Sequence, residues 1–231
     1  MPGRLVVSTL LCLIPGPALM QGAAWAASGP DGRDSALREY RGVPTIPFEV
    51  SAETTAVRCP TSSGPLACVG SPDRWAKLSG CVIHAKVSLA DARYCLVDDV
   101  TVEGGENGSG TDNAHQFRLE NVEHVIVQNS VFRAHSGAGI AVKGSNVVIR
   151  DSRFEDLRYR ERKLKGTLVS LDTHGIVGGC GSEKIWILRN YATRVSGQLT
   201  QWGHGCKKDP PSHIYIAGNV AENNAEAGFA T

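Results

Sequence analysis

Residues 121 to 154 contain the same short pattern twice. Val125, Val127, Ser130 and Phe132 recur 22 residues later as Val147, Ile149, Ser152 and Phe154. Each copy has two apolar residues at alternating spacing, then a small polar residue, then an aromatic. Alternation with a period of two is strand text, and a repeat of roughly 20–30 residues built on it describes a solenoid. Such repeats bury their apolar faces only against one another.

Extended along the chain, the pattern gives two interleaved series. One runs through Val100–Val102, Val125–Val127, Val147–Ile149, Ile185–Ile187 and Ile214–Ile216, with a polar or small residue following each rung: Gly105, Ser130, Ser152, Asn190, Asn219. The other runs through Phe117–Leu119, Ile140–Val142, Ile176–Gly178, Leu199–Gln201 and Phe229–Thr231. Two ladders that lengthen almost together are what successive coils of a parallel solenoid produce, each coil about 4.8 Å above the last. The Ser and Asn column is expected to satisfy backbone groups at a bend. Outward side chains are expected to be free to vary. Three segments exceed the minimal coil: a Gly-rich stretch at 103–113, a charged loop at 155–171, and a loop at 202–212. Long loops on a rigid scaffold are where sites are usually built.

The first 26 residues read as a secretory leader, with Arg4, an apolar run from Leu5 to Ile14 and a small-x-small site at Ala24–Ala26. The leader is too short to span a bilayer comfortably, and no later stretch could span one. Residues 27–79 read as a lead-in segment and N-terminal cap with a disulfide loop, and 80–231 as the coils. A secreted, periplasmic or extracellular location follows. The formal charge of +1 falls to zero without Arg4, so no global field argues for nucleic acid.

Six cysteines remain beyond the leader: Cys59, Cys68, Cys81, Cys95, Cys180 and Cys206. An even set in an exported chain reads as disulfides, with 15 pairings open. Neighbour pairing is the expectation: Cys59 with Cys68, Cys81 with Cys95, Cys180 with Cys206. The spacings fit no common zinc pattern.

The segments HVIVQNSVF and NVVIRDSRF, followed by DTHGI, IWILRN, SGQLTQ, IYIAGN and ENNAEAG, resemble right-handed parallel β-helix proteins of the pectate-lyase-like superfamily. They are most similar to secreted bacterial members. The resemblance covers about residues 80–231 and implies an all-β, right-handed parallel β-helix. It specifies fold more than reaction, because the superfamily also holds hydrolases, epimerases and non-catalytic adhesins. Two departures stand out. Ser196-Gly197-Gln198 replaces a Ser-Gly-Asp of the relatives, removing an acid and weakening a metal site there. The sequence also stops at Thr231 in mid-coil, so the helix is expected to lack its C-terminal coils.

The implied function is action on a polysaccharide by lyase-like β-elimination of an acidic glycan. The alternative is a non-catalytic glycan-binding or surface-attachment module, which the amide at Gln198 favours. Elimination needs a base for the C5 proton, a cation for the sugar carboxylate and an acid for the leaving oxygen. His174 is the first candidate for base, with Asp172 as its orienter or as a calcium ligand, and with His115 and His204 behind it. Calcium is the one cofactor left open. Arg158, Arg160, Arg162, Lys163 and Lys165 form a basic segment suited to carboxylate or sulfate groups, with Gln201 and His204 as further substrate contacts. The expected partner is a polysaccharide, met by a monomer.

Overall fold

The computed structural model describes residues 43–104, 116–134, 136–158, 160–164, 167–225 and 229–230. The expected leader and the residues before 43 lie outside them. Among the described residues the protein is all-β, and no helix is long and apolar enough to cross a membrane. Nearly every strand pairs in parallel with its equivalent one coil away, giving a solenoid-like stack.

Three ladders run along the stack. In the first, Cys95, Val125, Val147, Ile185 and Ile214 lie in one register. The repeat at Val125 and Val147 is therefore a true coil-to-coil neighbour pair. In the second, Phe117, Ile140, Ile176, Thr200 and Phe229 are in register. Strands Phe117–Gln128 and Ile140–Arg150 run continuously through both ladders. The third is a six-stranded sheet in which Val102, Phe132, Phe154, Ala192 and Ala221 align.

The coil therefore has three strands where the sequence suggested two, and this corrects two rungs. Val100–Val102 does not lie below Val125: Thr101–Glu103 belongs to the third ladder, and Cys95–Val97 takes the place beneath Val125–Val127. Short valine-rich segments alternate alike on either side of a bend, so periodicity alone cannot distinguish them. In the second ladder the rung opposite Ile176 begins at Thr200, one residue later than Leu199. Leu199 is itself buried, but the Trp202 ring fills the space that Gly178 leaves open. Parallel pairing also starts before residue 80, with Glu53–Ala56 against Arg74–Ser79.

Inward residues form the core. Phe132 and Phe154 stack with ring centroids 5.2 Å apart, and Phe117 meets Phe132 edge-on at 5.9 Å. The polar column at the bend is a hydrogen-bond ladder. Ser130 Oγ accepts from Val100 N, Ser152 Oγ from Ser130 N, Asn190 Oδ1 from Ser152 N, and Asn219 Oδ1 from Asn190 N. Each side chain thus satisfies a backbone donor of the coil before it, a buried group that would otherwise cost about 1–3 kcal/mol. The residue just ahead of each first-ladder rung takes a positive φ: Tyr94, His124, Asn146, Lys184 and His213, all between 47° and 55°. Only a stack that repeats the same turn in every coil holds so many non-glycine residues there.

The outward face of the first ladder is not free to vary. Leu96, Ile126, Val148, Trp186 and Tyr215 form an apolar column there. Residues 43–50 lie across this cluster as a strap: Ile46 is buried in it, and Phe48 contacts Trp75, His124 and Trp186. The Trp186 indole N–H donates to Pro44 O at 3.1 Å. The expected cap is thus a flank cover, a role hidden in the sequence because outward and inward positions are both apolar.

The disulfides are Cys59–Cys81, Cys68–Cys95 and Cys180–Cys206. Of the neighbour pairings only Cys180–Cys206 stands. The reason is the coil: each bridge spans 22, 27 or 26 residues, one turn of the stack, and parallel stacking brings those Cα atoms to 5.5–5.7 Å. A bridge between near neighbours in sequence would join different faces. Closing such loops stabilises by about 3 kcal/mol each.

Candidate functional site

The outward column of the second ladder forms the floor of a groove. Arg118, Ala141, Val177 and Gln201 stack in register, so cation, two small apolar residues and amide succeed one another over four coils. The groove encloses about 430 Å³, within the range of ligand sites. One edge carries Ala138, Asp172 and His174; the other carries Glu120, Lys143, Gly179 and His204.

Asp172 and His174 are held by the next coil. Ser196 Oγ accepts from Thr173 N at 2.9 Å and lies 2.9 Å from the Thr173 hydroxyl, which also bonds Arg158 O. Gly197 is required beneath the His174 ring, since a Cβ there would sit 2.6 Å from Nδ1 and 2.8 Å from Thr173 O. The Gln198 backbone N–H donates to His174 Nδ1 at 3.0 Å, and Nε2 lies 3.3 Å from Asp172 Oδ2. Ser196-Gly197-Gln198 thus clamps Asp172-Thr173-His174. Burial pushes the imidazole below the usual histidine range; the Asp172 carboxylate opposes this and His204 reinforces it. The His174 side chain is only 8% exposed, whereas that of Asp172 is 34% exposed.

His204 reaches the groove from the loop after Trp202. Gly203 and Gly205 on either side adopt φ of 71° and 75°, which favour glycine, and the Cys180–Cys206 bridge ties the loop back to the preceding coil. His204 is exposed on the groove edge.

The remaining predicted residues divide by position. Gln201 lines the floor. Arg158 is exposed beside Asp156 and meets the site only through its carbonyl. The charged loop at 155–171 contains an antiparallel hairpin, Arg160–Leu164 against Thr167–Leu171, that leads directly into Asp172. For Arg160, Arg162 and Lys163 only the backbone is described, and His115 and Lys165 lie outside the described residues. Arg118, Glu120 and Lys143 were missed. Their signal was available in the second-ladder alternation, which places Arg118 outward beside Phe117 and brings Lys143 next to Glu120.

Among the described residues no three His, Cys, Asp or Glu side chains are grouped to hold a metal ion. His174 is not placed to ligate one, because Nδ1 accepts from Gln198 N and the neutral ring then has no lone pair on Nε2. No family model matches this sequence, and no curated protein and no solved structure matches it.

Proposed function

We propose that this chain is an exported right-handed parallel β-helix of the pectate-lyase-like kind, and that an acidic polysaccharide lies along its second-ladder groove and is cleaved there by β-elimination. The observation that carries the reading is the composition of the groove, where Arg118 and Lys143 share one open surface with Asp172 and His204. The two cations supply what a sugar carboxylate needs to become neutralised, which makes the neighbouring C5 proton acidic. Asp172 and His204 are the groups that reach the groove for proton transfer, with His174 buried behind Asp172. Three disulfides suit an oxidising compartment and support export.

A second reading, a glycan-binding module without turnover, is favoured by one observation: His174 Nδ1 accepts from Gln198 N while Nε2 lies 3.3 Å from Asp172, and the adjoining coil offers the amide of Gln198 in place of an acid. The two readings separate in one experiment. The protein is incubated with pectate, alginate and glycosaminoglycans, with and without calcium, and the ultraviolet absorbance of the unsaturated product is followed. Rising absorbance on an acidic glycan supports elimination. Retained glycan binding without product supports the module, and neither binding nor product refutes both.

A further inference from the structure

We infer that His174 is a positioning residue and that Asp172, aimed by it, is the group that meets the ligand. The inference rests on the glycan reading above for its chemistry, but on the geometry of two adjoining coils for its assignment.

A neutral imidazole has one lone pair and one N–H. The Gln198 backbone N–H has a fixed polarity and points at Nδ1, so the lone pair is there and the proton is on Nε2. Nε2, which then carries the proton, lies 3.3 Å from Asp172 Oδ2, an electrostatic contact. With no free lone pair, the ring cannot accept a substrate proton without breaking the bond to Gln198. Gly197 leaves no slack, because the ring occupies the space its Cβ would need. His174 is therefore fixed in place, and its Nε2 lies beside a carboxylate. That carboxylate is partly exposed and lines the groove together with Lys143 and His204.

In an elimination, Asp172 would take the C5 proton. The electron pair left behind would form the C4–C5 double bond as the C4–O bond breaks, and the departing oxygen would take a proton from His204 or water. The Nε2–H group beside it would favour one orientation of the carboxylate electrostatically, as a neutral dipole that adds no cation to the base. Among the described residues, the charged and titratable groups around this pair are His204, with Arg118, Glu120 and Lys143 along the groove.

The test uses the full secreted chain with labelled histidine. Long-range proton–nitrogen spectra are expected to give His174 the neutral Nε2–H pattern at neutral pH and to keep it to a lower pH than a free imidazole does. On a glycan that is turned over, Asp172→Asn is expected to lower the rate by about a hundredfold or more. His174→Phe is expected to lower it about tenfold, and His174→Gln, whose amide can still donate to Asp172, to recover most of that loss. An amide cannot act as a base, so this rescue separates positioning from proton abstraction. A His174 ring that carries its proton on Nδ1 or is charged at neutral pH overturns the assignment, as does a Gln variant no better than Phe. If no glycan is bound or cleaved, the functional reading fails, and the spectrum alone decides the His174 assignment.

Discussion

Replacing Gly178 by alanine tests the register of the second ladder at its most crowded point. A Cβ on Gly178 would lie 1.8 and 1.9 Å from two ring carbons of Trp202 and 2.6 Å from a third. Ordinary carbon contact begins near 3.5 Å, so the indole has to retreat by about 1.7 Å. Trp202 is only 5% exposed and packed in the main core, so that retreat displaces its neighbours. Overpacking of this kind costs about 1–3 kcal/mol, and the entropy gained by removing a glycine offsets about 0.4–1 kcal/mol. A net loss of about 1–2 kcal/mol is expected, read as a lower denaturant midpoint at unchanged slope. Trp202→Leu alone is expected to cost about 2–3 kcal/mol as a large-to-small core change. The two together should cost little more than Trp202→Leu alone, a coupling of about 1–2 kcal/mol. Additive losses, or an alanine variant within about 0.5 kcal/mol of the parent, would show that the Trp202 ring does not stack over Gly178.

Other consequences are open to direct measurement. Phe48→Ala should remove the middle of the strap, lower stability by about 2 kcal/mol and expose the Trp186 column to a hydrophobic dye; unchanged dye binding would contradict the strap. Asn190→Ala strips an acceptor from Ser152 N and a donor from Ile149 O, so a loss of about 2–3 kcal/mol is expected in denaturant melts, against near neutrality if the column is merely solvated. Because burial holds the folded His174 pKa below its unfolded value near 6.5, the unfolded chain binds more protons in that window. Stability is therefore complete above it and falls as pH drops through it, and melts of His174→Gln should show a weaker dependence between about pH 7.5 and 5.5. In graded reductant, Cys180–Cys206, with Cys180 exposed, should open before Cys68–Cys95, both of whose residues are fully buried, as mapped by alkylation and mass spectrometry.

What could be read from the sequence was whatever repeats in kind. Val125, Val147, Ile185 and Ile214 share a register because the same inward apolar residue is needed in each coil. The Ser and Asn column was legible for a similar reason, as a side chain with an oxygen is needed at every bend. The third strand of the coil was not legible, because Thr101–Glu103 and Val131–Arg133 are three residues long and their alternation is shared with the other ladders. Nor was the strap, since an outward apolar column looks no different in text from an inward one. At the site, Asp172 and His174 were found from their types and spacing. The Gln198 N–H that fixes the imidazole could not be, because every residue but proline has one, and only the one-coil stacking selects which.

The groove assignment is tested most directly by titrating an acidic glycan into isotope-labelled protein and mapping the amides that respond. The prediction is a continuous set of perturbed amides over the second ladder, including Arg118, Lys143, Asp172, Val177 and Gln201, with the third-ladder face at Val131 and Arg153 silent. Perturbations confined to that third face, or none with any acidic glycan, would contradict it.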